Sequence, residues 1–182
     1  MVELPKAPHR LRLPVERGWD GAAGVAGTSG AVELAAVAGG LWVGVTLEQG
    51  CPPREPPEPR GTRIEGLWEY DVAECFLVGS DGHYFELELG AGGHFLALSF
   101  SGPRRRSHAH EGLALDVRAV RGDTGWSAET VVPREILPQG LCAVNAFAIA
   151  AGCHLAYEPV PGSAPDFHQP AAFPTLRVPA NW

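Results

Sequence analysis

A chain of 182 residues, 45% hydrophobic and 19% charged, is long enough to bury a core without disulfides or metals and too apolar to be disordered. Its 23 glycines and 17 prolines argue against long helices. Its formal charge of −7 argues against nucleic acid as a partner, since that binding needs Lys and Arg laid on phosphates.

Taken in chain order, residues 1–13 hold no apolar run of signal-peptide length, and no later segment is apolar enough to span a bilayer. The expectation is one cytoplasmic domain over residues 1–182, without a membrane partner. Short stretches of alternating apolar and polar residues, punctuated by Gly, Pro and Asp, then predict strands at 11–16, 31–38, 41–48, 72–78, 83–89, 94–100, 113–120, 126–132, 144–151 and 174–178. Asp81-Gly82 and the glycines of 90–93 make the three central strands a meander, because tight hairpin turns need residues that accept a positive φ. Pro133 opens the best place for a helical turn, 133–137. Ten strands with few helical signals predict an all-β, antiparallel β-sandwich.

Two stretches fall outside this pattern. Residues 49–66 carry five prolines among alternating Arg and Glu and read as a long surface loop, and 158–174 has the same character. Long loops over a rigid sandwich are where binding residues collect, so these two are expected to converge. Cys51, Cys75, Cys142 and Cys153 form no CxxC pair and are expected to be free thiols.

The acidic residues of the meander carry the chemistry. In a strand over 83–89, Tyr84, Glu86 and Glu88 share one face and Phe85, Leu87 and Leu89 the other. Alternating Glu is what a solvated antiparallel face looks like, and that is the expectation for Glu86 and Glu88. Glu74 differs: its same-face neighbours Val72, Phe76 and Val78 are apolar, so its carboxyl needs a cleft or a partner. A three-residue hairpin loop sets Glu74 opposite Glu86 or Glu88, whereas loops of two or four residues face them apart.

The segment Gly66-Leu67-Trp68-Glu69-Tyr70-Asp71-Val72-Ala73-Glu74-Cys75-Phe76-Leu77 resembles carbohydrate-binding module family 9, a DOMON-like fold, in which Trp-x-x-Asp leads into a strand Asp-x-x-Glu-x-Phe. The Tyr84-Phe85-Glu86 strand and the closing Asp166–Leu176 stretch, with Phe167 ahead of Pro170-x-x-Phe173, extend the likeness over roughly residues 30 to 180. The Leu67-Trp68-x-Tyr70-x-Val72-x-Glu74 and Pro165-Asp166-Phe167-His168 segments also resemble a family of small intracellular proteins with human members, to which no activity is attached.

The sugar modules clamp a terminal ring between two tryptophans. The resemblance places Trp68 at the first and Phe167 at the second, aromatic faces being suited to the CH face of a sugar. It places Glu74 on a ligand carboxylate, but Glu86 and Glu88 stand where the modules carry a basic residue and an amide. Three acids in place of a mixed set admit a cationic ligand, a metal ion or protonated carboxyls. His168, beside Phe167, offers a donor and an acceptor to a ligand.

The ligand-binding candidates are therefore Trp68, Glu74, Glu86, Glu88, Phe167 and His168, for a sugar or polyol. An interaction scaffold is the first alternative. The second is a glycoside hydrolase with Glu74 as acid and Glu86 as base or nucleophile, which requires carboxyls roughly 5 to 9 Å apart. No nucleophile or phosphate-loop motif supports another chemistry. No cofactor is expected, since Met1 is the sole methionine for a haem axial ligand. His108 and His110 alone are too few for a metal site, and Arg104, Arg105 and Arg106 beside them repel a cation.

Overall fold

The computed structural model describes residues 1–179 and 182, and its strands run β1 (Val2–Glu3), β2 (Leu11–Val15), β3 (Arg17–Gly18), β4 (Ser29–Val37), β5 (Gly40–Glu48), β6 (Val72–Val78), β7 (Tyr84–Gly90), β8 (Phe95–Phe100), β9 (Arg106–His108), β10 (Arg118–Arg121), β11 (Gly125–Pro133), β12 (Ala143–Ala150), β13 (Cys153–Ala156) and β14 (Leu176–Arg177). A five-stranded sheet ordered β10-β11-β5-β4-β2 packs on a seven-stranded sheet ordered β3-β13-β12-β6-β7-β8-β9, and every pairing within both is antiparallel. A short parallel pair, β1 with β14, stands outside the two sheets. The fold is the expected all-β sandwich.

Strand alternation builds the core between the sheets. Ala73, Cys75 and Leu77 of β6, Phe85, Leu87 and Leu89 of β7 and Phe95 and Ala97 of β8 face Val32, Leu34, Val43, Val45 and Leu47 of the other sheet. At β5, Gly40 lies so close to the carbonyl of Val132 that no Cβ fits, so the β5–β11 pairing depends on a bare backbone there.

Two expectations about elements change. Over 113–120 only Arg118–Arg121 forms a strand. Leu113, Leu115 and Val117 do alternate with exposed neighbours and pack on the core, but from an irregular segment. Alternation reports which side chains are covered; it does not report whether the backbone finds a partner strand. At 174–178 the strand shrinks to Leu176–Arg177, with Thr175 in an isolated bridge to Ala143. The helical turn over 133–137 is a 3₁₀ turn, Arg134–Ile136, with Pro133 at its N-cap.

The outward face of the seven-stranded sheet is covered as well. Phe76, Tyr84, Leu96, Leu98, Phe100 and Phe147 project from it into a second apolar cluster. Ile64 and Leu67 from the proline-rich loop close this cluster on one side, and Val160, Phe167 and Phe173 from the later loop on the other.

Candidate acidic pocket under Trp68

The hairpin between β6 and β7 decides where the acids go. The Gly79 N–H donates to the His83 carbonyl at 2.8 Å, leaving the three-residue loop 80–82 with Gly82 at φ 80°. The resulting register sets Glu74 directly opposite Glu88 and Phe76 opposite Glu86. Glu74 has Phe147 on its other flank, Glu88 has Leu96, and Glu86 has Leu98. All three acids thus share the sheet's outward face within a ring of apolar side chains.

That face is not solvated, contrary to the expectation for Glu86 and Glu88. Glu74 and Glu86 are each 3% exposed and Glu88 is 0% exposed. The alternation itself is intact, but two loops outside the sequence window in which it is visible, 49–66 and 158–174, roof the face over. Burial pushes the carboxyls up: Glu86 to about 7, and Glu74 and Glu88 well above the ordinary carboxylate range, with mutual repulsion adding to burial at both. Neither Glu88 oxygen has a hydrogen-bond partner, and burial together with repulsion from Glu74 and Glu86 favours its protonated form.

The walls come from the loops. Asp71, buried, accepts hydrogen bonds from Gln49 Nε2 at 2.7 Å and from the Arg54 N–H at 2.8 Å, pinning both ends of the proline-rich loop. Gly66, at φ 81°, turns the chain into the 3₁₀ turn Leu67–Glu69, which buries Leu67 fully and leaves Trp68 40% exposed. On the facing loop Phe167 stacks flat on Phe147, ring centroids 4.1 Å apart. One face of Phe167 is therefore spent on the sheet.

His168 is fixed by a chain of hydrogen bonds: the Arg104 N–H donates to the Tyr84 hydroxyl at 3.1 Å, and that hydroxyl lies 2.9 Å from His168 Nδ1. His168 Nε2 lies 4.0 Å from Glu86 Oε2. Burial, reinforced by Arg104, pushes His168 down to about 4, so the ring is neutral near pH 7 and its approach to Glu86 is not an ion pair.

Trp68, Glu74, Glu86, Phe167 and His168 line one cavity of about 430 Å³. Glu88 does not reach it and lies beneath the other two acids. The convergence of the two loops is as expected. Arg104, Arg106 and His154 also line the cavity and were not among the sequence candidates. The run Arg104–Arg106 was visible only as charge beside His108 and His110. His110, meanwhile, bonds Ser99 Oγ at 2.8 Å. Among the described residues no group of three His, Cys, Asp or Glu side chains is arranged to hold a metal ion.

Sandwich, roofing loops and aromatic-walled pocket together define the class: this is the carbohydrate-binding module family 9 fold. A family 9 module of Caldicellulosiruptor kristjanssonii in complex with cellotriose superposes with a TM-score of 0.63 over 97% of this chain and 92% of that one, at 10% identity. A family 9 module of the same organism in complex with glucose gives 0.56 over 87% and 80%. A presumed carbohydrate-binding protein of Bacteroides uniformis gives 0.72 over 98% and 99%, at 15% identity. Within this fold the chain belongs to the UPF0462 (C4orf33) family. It is 34% identical over 141 residues to the zebrafish (Danio rerio) C4orf33 homologue, 71% of each chain, and 34% identical to the rat (Rattus norvegicus) homologue over 67% of this chain and 70% of that one. No protein-family model matches the sequence.

Proposed function

We propose that the protein binds a small polyhydroxylated ligand, a sugar or related polyol, in the cavity beneath Trp68. The observation that carries this reading is the joining, in one cavity, of an exposed tryptophan, a second aromatic wall at Phe167 and polar groups from Glu74, Glu86 and His168. Ligand sites are concave and join apolar walls to placed polar groups, and here Trp68, Leu98, Phe100 and Phe167 stand beside a large share of charged and polar side chains, as a polyhydroxylated ligand requires. The family 9 modules of the same fold in complex with cellotriose and glucose support it. The clamp here is unequal: Trp68 offers an open face, whereas Phe167 has one face against Phe147.

Intrinsic tryptophan fluorescence, titrated with glucose, cello-oligosaccharides, polyols and divalent cations beside Trp68→Ala, tests the reading. A saturable change in the wild type, weakened at least about tenfold in Trp68→Ala, is expected from the loss of one stacking platform. The variant's melting temperature should stay within a few degrees of wild type, because little of this half-exposed ring is core. If no compound perturbs the wild type or raises its melting temperature, as binding to the native state must, the cavity is not a sugar site and the scaffold alternative takes its place.

A further inference from the structure

The charges around the cavity do not balance. Both wall arginines are already matched: Arg104 Nη2 is 2.9 Å from Asp166 Oδ1, and Arg106 Nη1 is 2.6 Å from Glu65 Oε1. His168 is neutral near pH 7 with its Nδ1 occupied by Tyr84, and burial also holds His154 below its ordinary range. Glu74 and Glu86 line the cavity with no arginine in contact, and Arg106 acts on Glu86 only as a more distant charge. Glu86 lines that cavity, and its Oε2, itself shut from solvent, has no hydrogen-bond partner, His168 Nε2 standing off at 4.0 Å.

Buried polar atoms in native proteins almost always find partners, and a buried carboxylate is costly unless it is paired. The sheet places three carboxyls here with no donor within hydrogen-bond distance of Glu86 Oε2, so a donor brought into the cavity against the Glu86 carboxyl would stabilise its ionised form. An anion is disfavoured, because the arginines are taken. A bare metal ion lacks a prearranged ligand set among the described residues. A neutral sugar hydroxyl pairs with a protonated carboxyl, whereas an ammonium group also draws Glu86, which titrates near pH 7, to its carboxylate. It donates to Glu86 and Glu74, and cations are also attracted to tryptophan faces.

We propose that the ligand of this cavity is an amine-bearing sugar, its ammonium group seated on Glu86 and Glu74 and its ring against Trp68. The proposal rests on the sugar-site reading above and narrows it to one substrate class. It separates this pocket from the glucose and cellotriose of the family 9 complexes, and it does so through the Glu74 and Glu86 carboxyls that line it.

Binding has a proton balance. In the free protein the Glu86 carboxyl titrates near pH 7; an arriving ammonium favours the carboxylate, and the carboxyl proton leaves to solvent. The groups facing Glu86 are Glu88 and Glu74 on the same sheet, Arg106 on β9, and His168 and Tyr84, which meet at the roof. His168, near 4, and Tyr84, near 12, do not titrate between about pH 5.5 and 7. The carboxyls therefore dominate the pH dependence in that window, alongside His154, which lines the cavity and which burial holds below its ordinary 6.5. A neutral sugar leaves their protons in place.

Isothermal titration of the full chain with glucosamine, glucose and N-acetylglucosamine, in two buffers of different ionisation enthalpy, tests this. Glucosamine should bind at least about tenfold tighter than the two neutral sugars and release up to about one proton near pH 7, and it should weaken severalfold at about pH 5.5. Glu86→Gln keeps the side chain's shape and removes its charge. In that variant, checked for wild-type melting, the glucosamine preference should collapse to less than about threefold. Glucose binding as tightly as glucosamine, or glucosamine binding without proton release, overturns the ammonium assignment and leaves the sugar site standing. Binding of none of the three overturns both.

Discussion

Glu88 shows how far a single residue's behaviour follows from its neighbours. It is fully buried and opposite Glu74, and burial with repulsion from Glu74 and Glu86 raises its carboxyl well above the ordinary range, favouring the protonated form. A carboxyl whose folded pKa is raised stabilises the fold below its unfolded pKa and loses that contribution as pH rises through the folded value. For Glu86 the window runs from the ordinary 4.5 to about 7. The wild type should therefore melt lower at about pH 8 than at about pH 5.5. Glu88→Gln has no proton to lose, so it should flatten this slope and melt a few degrees above wild type at about pH 8; thermal melts across pH read both. His168 has the opposite sign: its folded pKa is depressed to about 4, so its contribution is present above its ordinary 6.5 and lost as pH falls through 4. Acid melts of His168→Gln should show that low-pH loss reduced. At this scale the sequence made Glu74 conspicuous, as a carboxyl among Val72, Phe76 and Val78. It misread Glu86 and Glu88, because Tyr-x-Glu-x-Glu looks the same whether its face is wet or roofed.

Between elements, the site depends on two loops docking onto one sheet face. Phe167 anchors the later loop by its stack on Phe147, and Phe173 packs into the same cluster. Phe167→Ala should cost about 3 kcal/mol, the usual loss for a buried phenylalanine, and should also release a pocket wall; chemical denaturation measures the first effect and ligand titration the second. Gly40→Ala pushes a Cβ into the Val132 carbonyl, a backbone atom that cannot turn aside, and should destabilise by about 1 to 3 kcal/mol without touching the pocket. The long strands were legible from their alternation, and the two loops from their prolines. The pairings at β1, β3, β9 and β13 were not, because strands of two to four residues are too short to show a period. The 113–117 segment shows the converse, a period without a ladder.

For the whole molecule, the five-stranded sheet backs the core while the seven-stranded sheet carries both the core and the pocket, on opposite faces of the same strands. β6 and β7 are buried along their whole length for that reason. This double burial explains why the acids are held so rigidly and why their protonation is tied to both folding and binding. A ligand of the cavity should raise the melting temperature in proportion to the logarithm of its concentration above Kd. On the proposal above, Glu86 and Trp68 hold an amine-bearing sugar between them. A crystal structure of the protein grown with saturating glucosamine tests it most directly. The prediction is a sugar ring lying on the face of Trp68 with its nitrogen within hydrogen-bond distance, about 3 Å, of Glu86 Oε2. An empty cavity under those conditions, or a ring whose amine points to solvent while hydroxyls meet the acids, would contradict it.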